Sequence, residues 1–382
     1  MRRSTIQLLC LAGVAIGSLS SFRADESAQE PQDHDHVAAQ EPPPHSRAPR
    51  GVQLVIHEGA WLRAPGEEWF ARQKELDADR WSWVEDLAGG EAGWVDAQNV
   101  YRLRYDEEED IAVYWQWVSA AQLTRGRQDF VQFCASCHGL EGDGYGRSGQ
   151  WLRPSPRSFL QSYFKFTKTT QDLPSDAALL RLVKRGLDGT PMLPWDLSDE
   201  QLTDILQYVK SLSPEGEGWR DPFKQIGDIV DAGQDPWKGK EGHAIKTGER
   251  VYHDVAQCMS CHPGYVSPKK LPALREEPAG TTYREQLYLP VLKESNYTVL
   301  GKPVKILPPD FTFHQLRAGT TRLDLYETIA AGIKGTAMPQ WKGSLPDEDI
   351  WALAYYVESL IESYKDKPAA RGSFMQSLRE GL

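Results

Sequence analysis

Two pentads, CASCH at Cys134–His138 and CMSCH at Cys258–His262, hold every cysteine that follows Cys10. C-x-x-C-H is the attachment sequence of c-type haem. Two thiols at that spacing on a short helical turn reach the two vinyl groups of one porphyrin. The adjacent histidine is carried under the iron, where its imidazole becomes the proximal ligand. Two other uses of the sulfurs can be weighed against this. A structural zinc site wants four ligands in one cluster, whereas these pairs lie more than a hundred residues apart and each brings its own histidine. A thioredoxin-like pair wants a preceding strand, whereas LTRGRQDFVQF and TGERVYHDVAQ both read as helix. The spacing therefore predicts two covalently attached c-type haems, held by Cys134, Cys137 and His138 and by Cys258, Cys261 and His262.

A second axial ligand must come from a short supply. The chain has five methionines, at 1, 192, 259, 338 and 375. Met259 sits inside its own C-x-x-C and cannot reach the far face of that haem, and Met375 lies in the tail. Met192 in RGLDGTPMLPW and Met338 in AGIKGTAMPQW remain, and their contexts superpose. Gly186 and Gly332 stand six residues before, Gly189 and Gly335 three before, Trp195 and Trp341 three after. Glycine and proline around the sulfur make a loop, which lets a thioether approach iron opposite the histidine. Filling a gap in the core is the ordinary use of methionine. A repeated context in a methionine-poor chain points instead to His138/Met192 and His262/Met338 as iron-ligand pairs.

These residues resemble the class I cytochrome c family, over about Gly126 to Ser213 and again over Gly248 to Leu360. Each stretch starts with a Gly-aromatic helix (Gly126 and Phe130; Gly248 and Tyr252) and ends with an aromatic one (Tyr208; Tyr356). In that family the first and last helices cross through such residues, with the haem between them and the methionine loop. Helix signals agree: Ser198 with Gln201 and Ser344 with Asp347 read as capping boxes, and Thr321 with Asp324 opens RLDLYETIAAGI. SDAALLRLVKRGL is its counterpart, ending at Gly186. The chain thus reads as an internal duplication. RPSPRSF…FKF (Arg153 to Phe166) and LPPDF (Leu307 to Phe311) look like the proline-rich haem-edge segments of tandem cytochromes that accompany respiratory oxidoreductases.

The expected fold is mainly α: two class I cytochrome c domains in tandem, preceded by a small β-rich domain. Residues 1–24 read as an export signal, with Arg2 and Arg3 before an apolar run, Ile6 to Leu19, that is short for a membrane span. Residues 25–50 are a Pro-, Ala- and Gln-rich tether, and its HDH at His34–His36 is a solvated linker. Residues 51–118 hold seven of the 13 tryptophans in alternating runs, and read as short strands. There, WSWVEDLAGGEAGWVDAQNV is similar to part of a bacterial SH3-like barrel. A first haem domain at 119–213, a linker at 214–243, a second haem domain at 244–366 and a tail at 367–382 follow. His138 to Met192 spans 54 positions but His262 to Met338 spans 76, so the second domain carries an insertion, 267–306. YTVLGKPVKI within it reads as a hairpin turning at Gly301 and Lys302.

The formal charge of -11 and the absence of a basic run argue against nucleic acid as a partner. Iron filled by His and Met on both faces has no open position for a small substrate, which favours electron transfer over catalysis. The expected role is an extracytoplasmic di-haem carrier passing single electrons between redox protein partners, with an uncleaved N-terminus or a partner complex as its route to a membrane. The alternative is a di-haem peroxidase-type enzyme, which needs an iron that loses its sixth ligand or a bis-histidine site. His57, His243, His253 and His314 are its spare histidines, and the two methionine loops count against it. A third reading makes 51–118 a sensor or docking module.

Overall fold

The computed structural model describes residues 60–63, 81–84, 93–96, 101–106, 111–160, 162–221, 223–274, 293–299 and 302–379. The expected export signal and tether, with its HDH, and His57 lie outside them. Five strands open the fold: β1 (Ala60–Arg63), β2 (Trp81–Val84), β3 (Gly93–Asp96), β4 (Tyr101–Asp106) and β5 (Ile111–Val118). They form one antiparallel sheet in the order β1-β5-β4-β3-β2, as their β-branched and aromatic content favours. The sheet does not stand apart. Leu62 and Val118 are buried in the core of the helical domain that follows, beside Leu123 and Phe130.

That domain begins with α1 (Ala120–Phe133), capped by the Ser119 hydroxyl, which accepts from the Gln122 amide at 3.2 Å. After it come α2 (Ala135–His138), the two-residue strand β6 (Leu173–Pro174), α3 (Asp176–Arg185) and α4 (Asp199–Ser211). The capping box of Ser198 and Gln201 is present. Helices α1 and α4 cross at Gly126, where a Cβ would stand 1.9 Å from the Asp204 carbonyl oxygen. The Phe130 and Tyr208 rings pack one turn further on, 5.3 Å apart.

The second helical domain repeats this crossing. Its α5 (Glu241–Arg250) lies against α7 (Asp347–Tyr364), and a Cβ on Gly248 would stand 2.1 Å from the Ala352 carbonyl oxygen. Tyr252 and Tyr356 pair at 5.5 Å. Between them lie the antiparallel pair β8 (Lys293–Val299) and β9 (Lys302–Ile306), then α6 (Arg322–Ala331), and a last helix α8 (Pro368–Arg379) covers the C-terminal side of α7. Thr321 caps α6 as expected, its Oγ1 accepting from the Asp324 amide.

Two local expectations are corrected. Ser344 does not cap α7: the N-cap is Pro346, while the Ser344 amide donates to the Trp341 carbonyl at 2.9 Å and closes a turn ahead of the helix. The acidic run Asp347–Asp349 in the first turn supplies the favourable charge instead. Lys302 is also not part of the hairpin turn, because it is already in its strand, opposite Val299.

The segment joining the two helical domains packs on both. Its Ile226–Gly227 strand, β7, pairs in parallel with β6; Trp219 is fully buried against Phe164, rings 5.3 Å apart; Val230 belongs to the second core. Arg63 of β1 donates to the Lys224 carbonyl at 2.8 Å. The two helical domains meet through a buried ionic cluster. Lys168 donates to Asp324 Oδ1 at 2.7 Å and to Glu327 Oε2 at 2.8 Å. Arg181 holds Glu327 with two hydrogen bonds of 2.9 and 2.7 Å, and Arg185 holds Asp324. Burial would raise the Asp324 carboxyl, but hydrogen bonds from Arg185, Lys168 and Thr321 overcome it and hold the group far below its usual range.

Candidate functional site

The first pentad sits where α1 stops. The Cys134 amide still donates to Phe130, and Ala135–His138 then form one further turn with Cys134 as its cap. The second pentad is reached differently. Helix α5 widens into a π turn at Val251–Val255, Gln257 takes a left-handed conformation (φ 47°), and Cys258–Ser260 make a 3-10 turn. Both routes end alike, with the histidine amide donating to the first cysteine's carbonyl at 2.9 Å.

None of the four cysteines is joined in a disulfide. Burial pushes Cys134 up to about 12, with Cys137 and Asp129 adding to it, and Cys258 likewise up to about 12. At Cys134 and Cys258 burial thus disfavours the thiolate, unlike the activated thiolates of redox pairs and zinc sites. Both histidines are held by one device. His138 Nδ1 lies 3.0 Å from the Arg157 carbonyl and His262 Nδ1 lies 3.1 Å from the Pro309 carbonyl. A carbonyl only accepts, so each ring carries its proton on Nδ1 and keeps the Nε2 lone pair for a metal. Burial favours the neutral ring in both cases, lowering His138 and His262 below the ordinary imidazole value. Two residues beyond each carbonyl a phenylalanine stacks on the imidazole: Phe159 on His138 at 4.5 Å, Phe311 on His262 at 4.9 Å. The proline-rich segments singled out in the sequence are thus the parts that aim the histidines.

The methionine loops match bond for bond. Leu187 N donates to Met192 O and Ile333 N to Met338 O, at 2.8 and 3.2 Å. Thr190 Oγ1 donates to Leu187 O at 2.8 Å and accepts from Met192 N at 3.1 Å. Thr336 does the same with Ile333 O at 2.7 Å and Met338 N at 3.1 Å. Gly186 and Gly332 enter the loops at φ 70° and 68°, and a Cβ on either would meet loop backbone at 2.6 Å, so only glycine fits. Met192 and Met338 are half-buried. Trp195 returns the first loop to the end of α1, its ring 5.8 Å from Phe133 beside Cys134. Trp341 and Cys258 pack on one core cluster in the second domain.

Thr190 and Thr336 stand in GTPM and GTAM, but a threonine two residues before a methionine has no common signature by which the sequence would single it out. The carbonyls of Arg157 and Pro309 could not have been found by residue type, since any residue supplies one. Of the spare histidines, His253 is a core residue with both nitrogens used: Nδ1–H donates to Glu249 O at 2.7 Å and Nε2 accepts from Tyr265 N at 3.1 Å. His314 Nδ1 accepts from the Asp310 amide at 2.8 Å, and His243 is exposed. The residues present therefore fit two c-type haems: paired half-buried thiols, an oriented neutral imidazole, and a thioether on a glycine-bounded loop, in duplicate.

Comparison with known proteins gives a family. The family model described as cytochrome c oxidase, cbb3-type, subunit III matches residues 121–209 and 243–357, together more than half of the chain. No curated protein matches. Among solved structures, a chain of the Kuenenia stuttgartiensis reducing HAO-like protein complex is similar, at 27% identity over 62% of this chain and 96% of that one, with a TM-score of 0.48.

Proposed function

We propose, for a chain that belongs to the cytochrome c oxidase, cbb3-type, subunit III family, that it is an exported di-haem electron carrier with two His/Met-ligated centres. The family makes it a c-type cytochrome, a protein of electron transfer. The duplicated site supports the finer reading: the same carbonyl-oriented histidine, stacked phenylalanine and threonine-anchored methionine loop occur in both domains.

Bound haem iron supplies the one-electron redox step. The chain's part follows from its residues. Cys134 and Cys137, and Cys258 and Cys261, would fix each porphyrin by thioethers; His138 and His262 would ligate through Nε2; Met192 and Met338 would fill the opposite position and favour the ferrous state. Held by a histidine and a methionine together, neither centre would be left open to a substrate. Loop bonds across the domain boundary keep the two sites in register. Asp188 N donates to Arg317 O at 3.1 Å, and Lys334 Nζ, from the equivalent position of the other methionine loop, to Thr170 O at 2.9 Å. Such a protein presents one haem edge to a donor and another to an acceptor, as a shuttle or a subunit of an oxidoreductase complex outside the cytoplasm. The N-terminal segment forms one five-stranded antiparallel sheet, which supports the small β-rich domain of the SH3-like reading.

The test is the purified holoprotein. A denatured mass carrying two added haems, with a ferric sulfur–iron charge-transfer band of two-haem intensity, is expected. A single haem would overturn the di-haem reading, and high-spin iron with peroxide turnover would replace the carrier by the peroxidase.

A further inference from the structure

The two sites differ at one position that bears on the proximal ligand. Between the residue whose carbonyl takes the histidine Nδ1–H and the phenylalanine stacked on the ring, the first domain has Ser158 and the second has Asp310. Asp310 is 7% exposed and is held on every side. Its Oδ1 accepts from the Thr312 amide at 2.9 Å, the Thr312 hydroxyl at 2.7 Å and the Tyr265 hydroxyl at 3.2 Å. Its amide donates to His314. Its Oδ2 accepts from Arg371 Nη2 at 2.9 Å, while Arg371 Nε donates to Thr312 Oγ1 at 3.0 Å and the guanidinium lies over Phe313, 5.0 Å from the ring centre. Arg371 comes from α8, beyond the last residue the family model matches. Helix α8 is itself anchored, with Phe374 stacked on Tyr364 at 4.2 Å and Leu378 buried.

We propose that Arg371 and Asp310 are a positioning pair, added by the C-terminal helix to the second haem domain alone, that sets the reduction potential of the centre ligated by His262. This rests on the reading of His262 as an iron ligand. The pair acts in two ways. Arg371 fixes Asp310, and with it the Pro309 carbonyl and Phe311 ring that aim the imidazole. The carboxylate also places a negative charge in a buried environment next to the ligand's hydrogen-bond acceptor, which stabilises ferric over ferrous iron, and the guanidinium offsets that charge. Burial would raise the Asp310 carboxyl, but hydrogen bonds from Thr312 and Arg371 outweigh it and keep the charge. Ser158 brings no such charge to the first centre, so the two potentials are separated from the proximal side.

Spectroelectrochemical titration of the holoprotein tests this, with the first centre marked in a Met192→Ala background. Asp310→Asn should raise the potential of the second centre and Arg371→Gln should lower it, each changing the ferrous-to-ferric ratio at a fixed ambient potential by several-fold; tenfold is about 59 mV for one electron. The double variant should return toward the parent, and the first centre should stay put. Folded variants that lose thermal stability while both potentials stay unmoved, or that move both centres equally, overturn the proposal and leave the two-haem reading standing. If Arg371→Gln fails to accumulate as holoprotein, Asp310→Asn, which keeps the Thr312 bonds, decides alone: a rise at the second centre supports the pair, no rise ends it. A parent holoprotein with a single haem would instead remove the functional reading itself.

Discussion

Lys168 and Asp324 meet across the two helical domains, Nζ to Oδ1 at 2.7 Å, each with 6% of its side chain exposed. The same ammonium holds Glu327, and Arg181 and Arg185 complete the cluster. Removing one partner of a buried ionic group leaves desolvated charge behind, which costs more than the pair contributes. Lys168→Met should lower the urea stability of the holoprotein by about 2–3 kcal/mol, the arginines limiting the loss. Combining it with Glu327→Gln should cost less than the sum of the two single changes. A Lys168→Met chain that unfolds at the parental midpoint would show that the cluster does not hold the domains.

Helix crossing at glycine gives a second prediction. Gly248→Ala would drive a Cβ to 2.1 Å from the Ala352 oxygen, a backbone atom that cannot step aside without parting α5 from α7. The expected loss is on the order of 3 kcal/mol, with poor haem incorporation, and Gly126→Ala should behave alike at Asp204. Gly242, in the same helix α5 but with open space around it, is the internal control. There alanine should stabilise by about 0.5–1 kcal/mol through helix propensity. Thermal melts of the three variants separate steric from conformational effects.

Much of this arrangement was readable beforehand because it rests on residue types with few alternatives. Gly126 and Gly248, Thr321, Ser198 and the two pentads each carry a local chemistry that tertiary context does not override. What escaped depends on distant chain segments. Pro346 displaces Ser344 as the cap of α7 because Ser344 is already tied to Trp341 in the turn that follows the methionine loop. The ionic cluster joins residues some 140 to 160 positions apart, and a run such as KRGL or RLDLYE looks like an ordinary solvated helix face until the partner domain is placed on it. Carbonyl acceptors such as Arg157 O have no letter in the sequence at all.

His253 yields a prediction about acid. Burial drops its ring to about 4 from 6.5, despite the bond to Glu249. The folded protein therefore keeps it neutral where the unfolded chain already binds a proton, so stability rises with pH across that window. The contribution is complete above about 6.5 and is lost progressively as pH falls toward 4, by up to about 3 kcal/mol. Urea titrations at a series of pH values should show His253→Gln flattening this slope by close to one proton. An unchanged slope would mean that the ring is not neutral in the folded core.

The last prediction concerns the methionine loops, where Thr336 Oγ1 ties Ile333 O to Met338 N as Thr190 ties Leu187 O to Met192 N. Valine keeps the threonine shape but neither donates nor accepts, so Thr336→Val leaves the Met338 amide and the Ile333 carbonyl each one bond short. A loop freed in this way costs about 1–2 kcal/mol, and nearly all of it should appear as weaker thioether ligation, because the loop's work is to hold the sulfur still. Thr336→Val should lose the sulfur–iron band of one centre at a lower alkaline pH than the parent and admit carbon monoxide to that iron when reduced. Thr190→Val should do this at the other centre, and the double variant at both. A Thr336→Val protein whose band and carbon monoxide affinity match the parent, in a fold shown intact by circular dichroism, would mean that the glycine geometry at Gly332 and Gly335 alone suffices to place the sulfur.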